Sequence, residues 1–229
     1  MKYAVVFWCV TVVCVYEAVA LGGWALLLFW PGASFGLAGT AYAGLGPRLF
    51  GKRSDGSLRT FSAAVLLPYL LYTWSLWHVW RLCTREAPYH ELYDGVIVGR
   101  RLLPHEFPEG VTEVFDLTAE FPEPSPIREQ GVYHCYPTLD ATPLEPTVLL
   151  QAAKQVLETT EVAYLHCANG YGRTGTLAGA VLLLGGHVET VDDALQYLGN
   201  CRPGVRLNSQ QNAALLEFAK TVKLELREL

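Results

Sequence analysis

Tryptophan is absent from residues 81–229 of this chain; all six (Trp8, Trp24, Trp30, Trp74, Trp77 and Trp80) lie in the first 80. Acidic residues are scarce in that same region. Residues 1–85 hold only Glu17 and Asp55 against seven Lys/Arg, whereas residues 86–229 hold twenty acids against ten Lys/Arg. An apolar, basic, Trp-rich part followed by an acidic, mixed part reads as a membrane region and an aqueous domain. The acidic part lacks the basic footprint that a phosphate backbone requires, which argues against a nucleic-acid partner. No CxxC pair occurs among Cys9, Cys14, Cys83, Cys135, Cys167 and Cys201, which argues against a structural zinc site. A chain this large and apolar has no need of a disulfide framework, and Cys9 and Cys14 read as small apolar residues of a membrane helix. No internal repeat or low-complexity segment is present.

Residues 1–85 are expected to form two to three membrane helices. Residues 60–80 carry no formal charge and end at Arg81, a length that suits one crossing of roughly 30 Å of hydrocarbon. Trp77, His78 and Trp80 form an interfacial belt there, and Pro68 is a kink of the kind that spans tolerate. Residues 24–45 are a weaker candidate, broken by Trp30-Pro31-Gly32. Residues 4–20 are a third, interrupted by Glu17, which reads as a residue near the membrane edge. Lys2, the apolar stretch and Ala18-Val19-Ala20 also resemble a secretory signal, but the apolar run continues directly into the next segment.

Residues 86–229 make one domain of ordinary size. Residues 95–99, 111–117, 132–136 and 162–165 read as strands. Residues 121–126, rich in proline, read as a loop. Helices are expected over 146–159, over 174–184 up to Gly185-Gly186, from Thr190 with Asp193 in a capping pattern, and after a cap at Asn208 or Ser209. In the last, Leu215, Phe218, Val222 and Leu226 recur at helical spacing as core. Strands alternating with helices imply an α/β fold, a mainly parallel central sheet flanked by helices, preceded by the helical transmembrane region.

Residues 166–176 read His-Cys-Ala-Asn-Gly-Tyr-Gly-Arg-Thr-Gly-Thr, between a buried strand and an apolar helix. Such a loop can curl so that its N–H groups converge on one point, with a helix N-terminus behind them. A phosphate fits there. Gly170 and Gly172 are expected to supply positive φ, and Arg173 can grip two phosphate oxygens. A cysteine in that positive pocket is held as thiolate, the form that attacks phosphorus.

This segment resembles the signature loop of the cysteine-dependent protein tyrosine phosphatases, in their dual-specificity branch, and the resemblance extends over about residues 90–220. It implies that Cys167 forms a phosphocysteine, that Arg173 binds phosphate and steadies the transition state, and that Thr174 hydrogen-bonds the departing thiolate. His166, Ala168, Asn169, Gly170, Tyr171, Gly172 and Arg173 would contact substrate or shape the loop; His166 and Asn169 also read simply as a satisfied buried histidine and a surface residue. The family needs a general acid on another loop. Asp140, 27 residues before Cys167 in Tyr136-Pro-Thr-Leu-Asp140, resembles it; the rival, Asp116, reads better as a strand-end cap. Residues 202–211 resemble the family's late segment, where Gln210 could position water or simply cap a helix. No metal or other cofactor is implied.

The expected activity is hydrolysis of phosphomonoesters on phosphoproteins (Tyr, Ser or Thr) by a membrane-anchored enzyme. The variable loop positions, Ala168, Asn169 and Tyr171, offer no lysine for a polyphosphoinositide. The bilayer keeps a second substrate class open, a phospholipid with a phosphatidylglycerophosphate-like head group, and a third reading is an inactive phosphate-binding membrane module. Arg48, Lys52, Arg53 and Arg59 place their loop in the cytoplasm by the positive-inside rule, which would put the catalytic domain outside after one more crossing. A reducing cytoplasm protects a reactive thiolate, and a re-entrant middle segment would leave Lys2 and Arg81–Arg85 on one face. A cytoplasmic catalytic domain is the expectation.

Overall fold

The computed structural model describes residues 2–228, with side chains described through Val222. It divides into two units: Met1–Arg53, Ser57–Thr84 and Ala119–Pro122 form one; Ser54–Gly56, Arg85–Thr118 and Glu123–Leu229 form the other.

The first unit is helical. Helix α1 (Lys2–Leu21) turns at Gly22 and Gly23, both with positive φ, into a 3-10 turn (Gly23–Leu28), α2 (Phe29–Thr40) and a π turn (Ala41–Leu45). Helix α3 (Thr60–Cys83) follows. Close approach of α1 and α2 rests on small residues: a Cβ at Gly39 would sit 2.7 Å from Trp8, and Thr11 donates to the Gly32 carbonyl at 3.0 Å. Pro68 has no N–H for the Ala64 carbonyl one turn earlier. The Trp30 indole fills that vacancy at 3.1 Å, and Ser34 Oγ accepts the next N–H, that of Tyr69, at 3.1 Å. Phe7, Phe35 and Tyr69 close the cluster edge to face.

Among the described residues, two helices are long and apolar enough to cross a membrane, Lys2–Leu21 and Gly23–Leu45. Residues 60–80, ranked first from sequence, form α3 and are not among these two. Helix α3 is long and nearly uncharged, but its tyrosines, tryptophans, threonines, serines and His78 make it more polar than its charge count suggests.

The second unit is a five-stranded sheet flanked by helices, the α/β class expected. Strands β1 (Tyr89–Tyr93), β2 (Val96–Arg100), β3 (Glu113–Thr118), β4 (Val132–Thr138) and β5 (Ala163–Cys167) lie in the order β1-β2-β5-β3-β4. Only β1 with β2 is antiparallel; β2–β5, β5–β3 and β3–β4 are parallel. A short helix, α4 (Ser125–Arg128), sits in the proline-rich stretch, where Pro124 precedes its first turn. Then come α5 (Pro146–Glu158), α6 (Gly172–Leu184), α7 (Val191–Cys201) and α8 (Ser209–Glu228). Thr190 caps α7 by accepting the Asp193 N–H at 3.1 Å, and Asn208 Oδ1 caps α8, accepting from Gln210 and Gln211 at 3.0 Å. Leu215, Phe218 and Val222 are buried as expected; the Leu226 side chain lies outside those described.

Every residue of β5 is buried, and so is α6 from Arg173 to Leu183. This strand–loop–helix is the spine of the core, and its loop lies at the carboxyl ends of the parallel strands, where open α/β sheets bind ligands. Truncating Leu165, fully buried at the centre of β5, is expected to lower unfolding free energy by about 3 kcal/mol. Chemical denaturation of Leu165→Ala checks this; a loss below about 1 kcal/mol would contradict a central β5.

Candidate functional site

Cys167 ends β5, 3 % exposed, and its Sγ receives the Gly170 N–H at 3.3 Å. The loop can curl this tightly because Gly170 has φ +74; a Cβ there would also strike the Gly99 carbonyl at 2.4 Å. Gly172 is different from expectation. Its φ is not positive, and what it needs is space: a Cβ would come within 2.7 Å of Gln211 Oε1. Helix α6 starts at Gly172, and Tyr171 before it offers no side-chain cap. A helix N-terminus that no side chain caps is suited to an anion.

The Arg173 side chain is fully buried. It donates to the Thr138 carbonyl at 2.8 Å and pairs with Asp140 Oδ1 at 3.2 Å. Asp140, on the loop after β4, is 65 % exposed. The cation that would hold phosphate and the carboxyl that would supply a proton are therefore neighbours. Thr174 Oγ1 is buried and has no hydrogen-bond partner among the described residues. A buried hydroxyl without a partner is costly unless a ligand or thiolate uses it.

The loop bearing Asp140 is anchored. Ala141 takes φ +57, unusual for a residue with a side chain. Its carbonyl accepts from Asn208 Nδ2 at 2.7 Å, and the Thr142 carbonyl accepts from Gln211 at 3.3 Å. Gln211, not Gln210, therefore lies between this loop and Gly172. Gln210 is exposed on the first turn of α8. The two differ by one residue of helix phase, which the Asn208 cap determines.

Behind Cys167, His166 stacks on Tyr164 at 5.5 Å. His166, Asp116 and Glu123 are buried, with one ligand atom of each within 4.8 Å of the others. The two carboxylates of this cluster are engaged by protein donors. Asp116 accepts from the Thr118 N–H (2.7 Å), the Thr118 hydroxyl (2.8 Å) and the Tyr133 hydroxyl (2.5 Å), and Glu123 pairs with Arg101 at 3.0 Å. Burial, and after it Asp116, push the Tyr133 phenol far above its ordinary value, so it stays a donor. Asp116 thus belongs to the interior and Asp140 to the loop. Asn169 is half-buried, and Ala168 and Tyr171 complete the loop. Two partners were not foreseen from sequence, Glu86 and Arg202: Arg202 Nε donates to the Gly170 carbonyl at 3.1 Å, and Glu86 accepts from Tyr171.

No family model matches the chain, and no curated protein does. Solved structures do. PTPMT1 is 18 % identical, with 62 % of this chain and 99 % of that one covered and a TM-score of 0.54. Tk-PTP in its active form is 23 % identical over 58 % and 97 %, with a TM-score of 0.54. Human DUSP28 is 14 % identical over 59 % and 99 %, with a TM-score of 0.51. The chain carries the fold of the cysteine-dependent tyrosine and dual-specificity phosphatases.

A methyl group at Gly170 cannot be accommodated without moving the loop. Gly170→Ala should weaken inorganic phosphate binding by about tenfold or more, roughly the worth of one charge-assisted hydrogen bond. Calorimetry on the purified full chain checks it, and unchanged affinity would contradict the geometry above.

Proposed function

We propose that this protein is a membrane-anchored phosphomonoester hydrolase working through a phosphocysteine. One observation carries the reading: an uncapped helix N-terminus, a loop N–H directed at the Cys167 sulfur, and buried Arg173 paired with Asp140 meet at one place. In the first step the Cys167 thiolate attacks phosphorus. An S–P bond forms, the P–O bond to the leaving group breaks, and Asp140 gives that oxygen its proton. Substrate phosphate takes over Arg173, which frees Asp140 for this transfer. In the second step water attacks the phosphocysteine, Asp140 accepts a water proton, and inorganic phosphate leaves. The Thr174 hydroxyl donates to the returning thiolate, and Gln211 is placed to orient the water.

For the substrate we favour phosphoproteins. Ala168, Asn169 and Tyr171 bring no positive charge to the loop, which suits a single phosphate better than a polyphosphorylated head group. A phospholipid monoester is the second reading, because PTPMT1, similar in fold, has been solved in complex with PI(5)P. We further propose that residues 1–85 are the anchor, crossing as Lys2–Leu21 and Gly23–Leu45. Two crossings return the chain to the face of Lys2, and Arg48, Lys52, Arg53 and Arg59 assign that face to the cytoplasm. We place residues 86–229 in the cytoplasm, whose reducing medium protects a reactive thiolate. Protease added to intact cells should then spare them, and cleavage with cytoplasmic controls intact would refute this sidedness.

Turnover of an aryl phosphate, then of phosphopeptides against phospholipid vesicles, tests the activity and its substrate class. Cys167→Ser should abolish turnover yet keep vanadate binding, since a hydroxyl does not ionise there and the N–H cradle remains. Asp140→Asn should slow hydrolysis of poor leaving groups about a hundredfold and that of good aryl leaving groups much less. Equal losses on both would remove Asp140 from the acid role.

A further inference from the structure

The peptides of the phosphate loop are held by a buried cation that the chemistry above does not use. Arg202 follows α7, and its side chain is fully buried. Its guanidinium donates to the carbonyls of Gly170 (3.1 Å), Asn169 (3.4 Å) and Ala87 (3.0 Å) and to His90 Nδ1 (3.0 Å). Burial, and after it Arg202, push His90 below its ordinary value against a smaller opposing pull from Glu86, which keeps the ring a neutral acceptor.

A trans peptide points its carbonyl and its N–H in opposite directions. Drawing the Asn169 carbonyl to Arg202 turns the Gly170 N–H the other way, where it meets Cys167 Sγ. Drawing the Gly170 carbonyl to Arg202 likewise turns the Tyr171 N–H away from the guanidinium. Arg202 therefore sets the direction of successive donors in the bowl.

Glu86 holds this arginine. Its Oε1 lies 3.8 Å from Arg202 Nε and accepts the Gly204 N–H at 3.3 Å, while Oε2 accepts the Tyr171 hydroxyl. The Tyr171 ring lies against the guanidinium, 5.3 Å from ring centroid to Cζ. Gly204 makes room: a Cβ there would fall 2.1 Å from that ring. Glu86 thus grips one end of the loop directly and the middle of it through Arg202.

We propose that Glu86 is a positioning residue for the phosphate-binding loop, acting through Tyr171 and Arg202 to aim the loop's N–H groups at the bound phosphate. It stands three residues beyond Cys83, the last residue of α3, so the segment leaving the membrane region supplies a part of the catalytic geometry. This rests on the phosphatase reading above.

The test uses the full chain in detergent, with Glu86→Gln, Tyr171→Phe and the double variant. Three quantities are read: kcat and KM on an aryl phosphate, inorganic phosphate affinity by calorimetry, and melting temperature. Glu86→Gln keeps an acceptor but loses the charge on Arg202. It should lower kcat and phosphate affinity about tenfold each, with little change in melting temperature. Tyr171→Phe should do less, and the double variant should be no worse than Glu86→Gln, because both act on one unit. Values of kcat and phosphate affinity within about twofold of wild type would overturn the proposal, as would a loss confined to melting temperature. If wild type binds phosphate but turns over no ester, the activity reading fails alone and the affinity arm still decides on Glu86. A wild-type chain that does neither overturns both.

Discussion

A doubly charged phosphate can be held by neutral peptide groups only if several N–H dipoles point inward together, and each inward N–H leaves a carbonyl pointing outward that needs a donor. Much of the architecture around residues 167–173 answers that requirement. Arg202 takes the carbonyls of Asn169 and Gly170, and the Arg101 N–H takes those of Cys167 (2.8 Å) and Ala168 (3.1 Å). Gly170 permits the reversal, at a point where the backbone of Gly99 in β2 passes too close for any side chain. The fold then supplies the rest: β5 delivers Cys167, α6 delivers its uncapped N-terminus, and β4 delivers Asp140 to Arg173.

How much of this could be read in the sequence depends on distance along the chain. Cys167, Arg173 and Thr174 lie within one strand–turn–helix, so their spacing is visible in eleven residues, as are the buried strand before them and the apolar helix after them. Asp140 was reachable because its loop follows a strand of its own. Glu86 and Arg202 were not, since Glu86 meets Tyr171 across 85 residues and Arg202 meets Ala87 across 115. Nothing local shows which distant carbonyls and hydroxyls they meet. The choice between Gln210 and Gln211 turned on whether Asn208 or Ser209 capped α8. Strand β1 was missed because Tyr-His-Glu-Leu-Tyr, at the edge of the sheet, has no clean alternation.

In the first unit, counting charges and counting polar atoms rank the helices differently. Helix α3 has no charged residue before Arg81, yet its aromatic and hydroxyl side chains leave it outside the two segments apolar enough to span a bilayer. The middle segment, weakened on paper by Trp30-Pro31-Gly32, is among those two. Trp30 also satisfies the carbonyl that Pro68 exposes. A residue counted as an interruption in one helix is thus the partner of an interruption in another.

The central claim is covalent: phosphorus passes from substrate to the sulfur of Cys167 and then to water. Rapid acid quench of the full chain during turnover of an aryl phosphate, followed by peptide mass spectrometry, tests it directly. The account predicts one phosphoryl group, on the peptide carrying residues 166–173 and on Cys167 itself, absent from Cys167→Ser. Turnover with the phosphoryl group on another residue, or with none trapped even when Asp140→Asn slows its release, would contradict it.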